Sequence, residues 1–473
     1  MDVIFADSMQ FEYEVAVLVI GAGACGLTAA LAATDAGAEV LVIERDKIPR
    51  GSTGLSTGLI PACGSRLQLA ERVQDSYESF VADVLRKTKG RTDRQLVERL
   101  VRASGSIVDW LCDDHGIKLE LCKDLRYPGH GVDRMHGTAN RTGAELQDQL
   151  LIAAERNHVD ILTNAEVVDL YATTSKKVIG VRVRRPGGAF EDVGCGSLIL
   201  ACCGFGANPD MIARYIPALK NAPYLGHDGN KGHAVAWGLA LGAAIADMGS
   251  FQGHGAIGNP SGVPMWNTIT INGIQVNLAG KRFSDESAGY SEQALKVLAQ
   301  PEGLAWNIFD QRGHDLAKTY VDYREGLKIS SVKTAQSVEA LSDVTGLPYP
   351  ALAETLRDVA AMVSGVKKCS FGRDFSNTPP LVPPYYAGRV TGAYLHTQGG
   401  VVVSSEDARV LDRSGNSLPN LFAGGGAARG ISGEGDSGYL AGNGLLTAVV
   451  LGAIAGKAAA ELTRATKQNT LVG

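Results

Sequence analysis

The stretch Val15-Ala16-Val17-Leu18-Val19-Ile20-Gly21-Ala22-Gly23-Ala24-Cys25-Gly26 decides the fold. Its first six residues are a continuous apolar run of strand length. The glycines then open a segment of helical composition, Leu27 to Ala36, which Gly37 stops. A second strand reads from Glu39 to Ile43 and ends at Glu44, so strand, helix and strand arrive in order with glycines at the first turn. In that pattern Gly21 permits the tight turn, Gly23 lets the backbone approach a pyrophosphate, and Gly26 lets helix and strand pack closely. The helix start supplies free N–H donors. Glu44, 18 residues after Gly26, is placed to accept hydrogen bonds from a ribose diol. An acid there points to a 2′-hydroxyl ribose, as in FAD or NAD, and away from NADP.

Around this unit lie 473 residues, room for about three domains or for one large cofactor domain with an insertion. Hydrophobic residues at 45% and charged residues at 20% describe a globular chain and exclude general disorder. Glycine is the outlier: 58 residues is about 12%, against an average near 7%. A net charge of -5 without any basic block makes nucleic acid a poor partner. The eight cysteines form no CxxC pair, and Cys202 and Cys203 sit in an apolar run read as a buried strand, so free thiols in a reducing cytoplasm are expected. No signal peptide, transmembrane segment or metal-ligand cluster is read from the sequence.

Further along, Arg50 to Gly58 is a polar glycine-rich loop whose place beside the nucleotide turn suits cofactor wrapping. Amphipathic helical patterns cover Leu67 to Lys87 and Arg94 to His115. The loop Asp124 to His136 holds Tyr127, His130, Arg134 and His136, either as chemistry or as simple packing. A helix reads over Gly143 to Glu155. Short strands follow over Asp160 to Leu162, Glu166 to Tyr171 and Lys177 to Arg184, with a hairpin turn at Pro186-Gly187-Gly188. Apolar strands run into glycine turns at Ser197 to Gly206 and Asn420 to Gly426, and a long Ala/Leu/Val helix starts at Leu445. The middle, Ser250 to Pro384, lacks this rhythm and reads as an inserted domain.

Together these segments resemble the flavoprotein family of fumarate reductases, succinate dehydrogenases and 3-ketosteroid dehydrogenases. The matching motifs are Val19 to Gly26, Gly51 to Gly58, Leu200 to Gly206, Phe251 to His254, Gly280 to Glu286, His396 to Gly400 and Leu421 to Gly425, in the family's order. The resemblance implies an α/β fold: a Rossmann-like FAD-binding domain, with a parallel sheet and a small β-meander, over 1–249 and 388–473. An α+β capping domain would be inserted at 250–387, with substrate at the junction against the flavin. It places Gly21, Gly23, Ala24 and Gly26 at the pyrophosphate and Glu44, with Arg45 beside it, at the ribose. Ser52, Thr53, Ser56 and Gly58 would lie along the stretch from phosphate to isoalloxazine. Val167 would meet adenine through its backbone, Ala201, Gly204 and Gly425 would lie by the cofactor, and Asn443 and Leu445 would offer backbone N–H groups to the flavin O2. Two departures stand out. Gly426 occupies the place of an acid that many members use for the ribitol, and Gly51 to Gly58 has no histidine, so FAD is expected to bind non-covalently.

At the substrate end, members that grip dicarboxylates use an arginine in the turn before the last helix, where a guanidinium pairs bidentately with a carboxylate. Here that residue is Tyr439, and no arginine lies between Arg429 and Arg464. The turn is similar to that of the ketosteroid enzymes, in which a tyrosine polarises a ketone. The resemblance implies α,β-desaturation of a cyclic or steroid-like ketone, or the reverse ene reduction. Tyr439 would bind the carbonyl oxygen, and hydride would pass between the β-carbon and the flavin. His254 and His396 match histidines that bond substrate oxygens. The base is open between Tyr290 and Tyr127, with Arg312 and His314 at the position of the fumarate reductase acid; for all four, plain packing is an equal reading. Two alternatives stand beside this one: a fumarate-reductase-like enzyme acting on a carboxylic acid, and a flavin electron-transfer subunit, disfavoured by the absence of haem or iron–sulfur cysteine spacing. The electron acceptor is left unidentified.

Overall fold

The computed structural model describes residues 2–123, 126–329 and 331–472. The chain separates into two compact units, one of Met1–Ile216, Gly226–Phe251 and His396–Gly473, the other of Pro217–Leu225 and Gln252–Leu395. Asp124 and Leu125, at the head of the loop read as chemically rich, lie outside the described residues.

Among the described residues the larger unit is built on a nine-stranded sheet. Its centre is Tyr13–Ile20, flanked in parallel by Val40–Ile43 and by Phe190–Leu200. Val17, Leu18 and Val19 are fully buried, as expected of a parallel strand covered on both faces. Strand Phe190–Leu200 joins two kinds of sheet. Its first half closes an antiparallel meander with Val178–Arg184 and Glu166–Ala172, and its last residues pair in parallel with Ser417–Ala423. The turn between the meander strands is closed by the Arg185 carbonyl and N–H, the latter donating to Ala189 at 2.8 Å.

Two glycines of the terminal helix, Asn443–Val472, fix how it packs. An added Cβ on Gly452 would come within 2.5 Å of the Cys25 carbonyl oxygen, and one on Gly456 would overlap that of Ala29. The helix therefore lies backbone to backbone on Ala24–Asp35, the helix of the glycine motif. Among the described residues Asn443–Thr466 is the one helix long and apolar enough to cross a membrane, and 61% of its most apolar window is buried inside the fold.

Two expectations need correction. The helical pattern over Leu67 to Lys87 is two helices, Arg66–Ala70 and Tyr77–Lys87. Asp75, in the break, accepts from Arg134 Nε at 2.7 Å and from Nη2 at 2.8 Å, which a continuous helix would not permit. Likewise the strand before Cys202 and Cys203 ends at Leu200, and the pair lies in a bend with Cys203 at φ +62°. None of the eight cysteines, all among the described residues, is in a disulfide, and burial pushes the Cys63, Cys195 and Cys202 thiols up to about 12.

Arg134 is 1% exposed, sits 4.5 Å from the Phe80 ring centroid and also pairs with Asp83. Replacing it with methionine strands two buried carboxylates, so the expected loss is about 3–5 kcal/mol by chemical denaturation. Burial would raise the Asp83 carboxyl, but Arg134, the Gly131 N–H and Arg86 outweigh it and hold it below 3.8. Its contribution is therefore present above that value and is lost as pH falls through the lowered folded value, a loss that melts across pH 5 to 2 will register.

The smaller unit has a five-stranded sheet in the order Phe251–Gly258, Tyr385–Thr397, Leu304–Phe309, Ile274–Asn277, with Val332–Ala335 also on Tyr385–Thr397. Helices Val338–Thr345 and Tyr349–Val363 complete its core around Ile274, Ile308, Leu341 and Leu352.

Candidate functional site

The glycine turn is pinned from three sides. Gly21 takes φ +104°, and a Cβ there would stand 2.6 Å from the Ala201 carbonyl oxygen; one on Gly26 would overlap that of Gly21. Glu44 accepts from the Ala22 N–H at 2.8 Å and, with its other oxygen, from the Asp46 N–H at 2.9 Å. Thr53 Oγ1 accepts from the Ala24 N–H at 2.9 Å, and the buried Gln147 donates to the Ala22 carbonyl at 2.6 Å. Gly23, at the helix N-terminus, has no side-chain cap, so the remaining first-turn N–H groups form an anion cradle.

The loop after Glu44 contains a helical turn, Gly51–Gly54, and folds onto the start of helix Gly143–Arg156. The Gly143 N–H donates to the Ser56 carbonyl at 2.7 Å, and Gly58, at φ +68°, passes within 2.7 Å of the Thr142 carbonyl oxygen by its would-be Cβ. Ser56 spends its hydroxyl inside the loop, donating to the Thr53 carbonyl at 2.7 Å and accepting from the Gly58 N–H at 3.1 Å. Ser52 instead meets Asn230, which donates to it at 2.9 Å, and Cys203. Arg45 is engaged with Asp46, and Val167 stands at a β-bulge in the meander.

Gly426 is tightly enclosed. Its would-be Cβ meets Cys203 Sγ and the Gly204 nitrogen at 3.0 Å each, so a side chain there would need the Cys203-Gly204 bend to give by a few tenths of an ångström. Gly204 in turn lies against Thr397, whose hydroxyl accepts from the Phe205 N–H at 3.1 Å.

At the start of the terminal helix the Asn443 N–H is already donated to the Leu440 carbonyl at 3.0 Å, which corrects its expected role as a free donor. The turn closes tightly there, leaving later N–H groups at the helix start. Tyr439 is 6% exposed. Burial raises its phenol above 10.0, opposed by the backbone N–H groups of Gly444 and Gly442, which face its oxygen. His396 meets the Tyr439 ring edge to face at 5.6 Å. Its Nδ1 receives the Gln398 amide at 2.9 Å, and burial lowers its pKa to about 4 despite the Thr397 carbonyl. Both groups are thus neutral at pH 7.

The loop residues Tyr127, His130, Arg134 and His136 divide differently. His130 Nε2 donates to the Ala441 carbonyl at 3.0 Å, which holds the Tyr439 turn; His136 bonds Ser65 Oγ at 2.7 Å; Arg134 is the buried cation above. Tyr127 is half-buried.

In the smaller unit, His254 is 7% exposed and stacks on Tyr290 at 5.3 Å, and Tyr290 meets Trp266 edge on. Gly255 makes this approach possible, since its would-be Cβ lies 2.5 Å from the Gln293 backbone in helix Tyr290–Leu298. The Ala256 N–H donates to His254 Nδ1 at 3.2 Å, and burial lowers the ring's pKa to about 3. Arg312 is held by the buried Asp310, its Nε at 3.2 Å from each oxygen. His314 bonds the Tyr323 hydroxyl at 2.9 Å and stacks on Tyr386 at 4.3 Å. Sequence reasoning missed Gln398 and Ser432; Gln398 was visible only as one letter inside the His396 to Gly400 motif. No cluster of His, Cys, Asp or Glu suited to a metal occurs among the described residues.

A glycine-turn βαβ unit with an acid on its second strand, a wrapping loop and a helix-start cradle define a dinucleotide-binding flavoprotein. The chain belongs to the FAD-binding domain family, whose model matches residues 16–445. It is 32% identical over 448 residues to a probable fumarate reductase of Shewanella frigidimarina, covering 94% of this chain and 74% of the relative. The open conformation of a flavocytochrome c3 fumarate reductase superposes with a TM-score of 0.80 at 31% identity, covering 96% of this chain and 79% of that one. A 3-ketosteroid-Δ4-(5α)-dehydrogenase from Rhodococcus jostii RHA1 shares the fold, with a TM-score of 0.77 at 24% identity over 97% and 99% of the two chains. The protein is an FAD-dependent oxidoreductase of carbon–carbon bonds.

Proposed function

We propose that the enzyme interconverts a cyclic or steroid-like ketone and its α,β-unsaturated form, with FAD bound non-covalently. The observation that carries this reading is Tyr439, an uncharged donor in the turn where a dicarboxylate enzyme would place an arginine, with the Gly442 and Gly444 N–H groups at its oxygen. A carboxylate moved into this buried turn would lose hydration and gain no cation from the turn itself, since residues 430–456 contain no lysine or arginine; a ketone pays far less and still accepts the hydrogen bond.

Bound FAD supplies the two-electron hydride acceptor or donor. The Tyr439 hydroxyl donates to the carbonyl oxygen and stabilises negative charge as the α-proton leaves, and the N–H groups behind it make the phenol a stronger donor. His396 Nε2–H is assigned to the same oxygen. For the base, the resemblance to the ketosteroid enzymes points to Tyr290 or Tyr127, with Arg312, paired with Asp310, and His314, bonded to Tyr323, as the alternatives. By resemblance His254 also contacts substrate.

A second reading, reduction of an unsaturated carboxylic acid, is favoured by the 32% identity to the fumarate reductase. Anaerobic titration separates the two. Cyclic ketones are expected to bleach the flavin absorbance while succinate-type acids leave it unchanged; bleaching by the acids alone would overturn the ketone reading.

A further inference from the structure

Behind His396 lies a run of buried polar side chains that neither reading uses. Gln398 is 4% exposed, Ser432 1% and Asn443 0%. Asn443 Nδ2 donates to Ser432 Oγ at 3.5 Å, Ser432 Oγ donates to Gln398 Oε1 at 2.9 Å, and Gln398 Nε2 donates to His396 Nδ1 at 2.9 Å. Every donor points the same way. The hydroxyl takes the Asn443 hydrogen bond and so turns its own hydrogen to the amide oxygen, which leaves the amide N–H₂ for the ring. At the far side of the ring, the would-be Cβ of Gly444 lies 3.1 Å from His396 Nε2 and 3.7 Å from the Tyr439 hydroxyl. The free nitrogen and the phenol therefore border one spot at the helix start.

We propose that Gln398, oriented by Ser432, is a positioning residue that fixes His396 as the Nε2–H tautomer, so that it acts as a second neutral donor beside Tyr439. This rests on the assignment of the Tyr439 turn to a substrate oxygen. With an Nδ1–H ring the exposed nitrogen would be a bare acceptor and would repel a carbonyl oxygen. The groups facing the ring are Tyr439, Gln398, the Thr397 carbonyl and Gly444, none of them charged; the Thr397 carbonyl, 3.4 Å from Nδ1, is the one acceptor that favours Nδ1–H, and the nearer Gln398 amide at 2.9 Å opposes it.

The test is ¹⁵N NMR of histidine-labelled, FAD-loaded enzyme, with His396→Asn used to assign its signals among the nine histidines. The expected spectrum has a protonated Nε2 and a bare Nδ1. Gln398→Glu should move the proton to Nδ1, because a carboxylate only accepts. On the ketone that supports turnover, Gln398→Glu should cut kcat roughly tenfold at pH 8. Relative to wild type it should recover toward pH 6, where the paired imidazole protonates and regains Nε2–H, whereas the wild-type His396, lowered to about 4, does not titrate in that range. Gln398→Met should give mixed tautomers, with FAD content confirming that either variant folds. A wild-type ring protonated at Nδ1, or a tautomer unchanged in both variants, would overturn the proposal. The spectrum needs no substrate, so the relay can stand or fall separately from the ketone assignment: an enzyme that turns over only acids yet shows the locked Nε2–H ring would refute that assignment and keep the relay.

Discussion

Tyr439→Phe is expected to lower kcat on the ketone substrate by about 10²–10³-fold, the usual cost of one donor to a developing oxyanion, with FAD content unchanged. The substitution removes one oxygen and keeps the ring, so its edge contact with His396 survives. The Gly442 and Gly444 N–H groups lose their acceptor, and a substrate oxygen can approach them directly, so the residual rate should exceed that of free flavin. KM should move much less than kcat, since the lost bond strengthens mainly as negative charge builds. Tyr439 and His396 should add no pH dependence to wild-type kcat from pH 6 to 9: burial holds the phenol above 10.0 and the imidazole near 4, so neither ionises in that window and any slope there belongs to the base. Stopped-flow reduction of the flavin measures both. An unchanged rate in Tyr439→Phe would remove the observation on which the ketone reading rests. Tyr439→Arg adds the complementary outcome, because gain of acid-driven bleaching would show that charge in this turn selects the substrate.

Much of this architecture is legible in the sequence because it is written in local signals. Six apolar residues, three spaced glycines and an acid specify a strand, a turn, a helix and a second strand without distant information, and Tyr13–Ile20, Ala24–Asp35 and Val40–Ile43 stand where those signals put them. What escaped depends on partners far apart in the chain. The break at Asp75 is set by Arg134, 59 residues later, and a helix pattern cannot register such a pull. The Gln398 relay joins residues 34 apart through side chains alone, leaving no periodicity to read. The closure of Asn443 onto Leu440 is a matter of one hydrogen bond at a helix start, finer than residue types resolve. Gly426, where an acid was expected, lies tight against the bend at Cys203, a feature with no signature before the strand end is known.

Gly26→Ala should abolish FAD loading, whereas Gly23→Ala should only weaken it, and the contrast separates two reasons for glycine in one motif. At Gly26 the added carbon would overlap the Gly21 carbonyl oxygen and stand 3.3 Å from Val19 Cγ1, so turn or helix must move even in the apoprotein. Overpacking of this kind costs about 1–3 kcal/mol, and it distorts the helix start that cradles the pyrophosphate. At Gly23 the backbone angle is ordinary, φ -79°, and the nearest atom to an added carbon is Thr53 Oγ1 at 3.3 Å. The apoprotein should therefore melt close to wild type, and a loss should appear only with the cofactor, as a Kd raised roughly tenfold, about 1.4 kcal/mol. Apoprotein melts and flavin fluorescence titrations measure the two quantities independently. Because bound FAD stabilises the fold by mass action, the gap between apo and holo melting should narrow for Gly23→Ala and vanish for Gly26→Ala. If Gly23→Ala bound FAD as wild type does, the pyrophosphate would not approach the backbone at that residue, and the cradle would have to be formed by Cys25 and Gly26 alone.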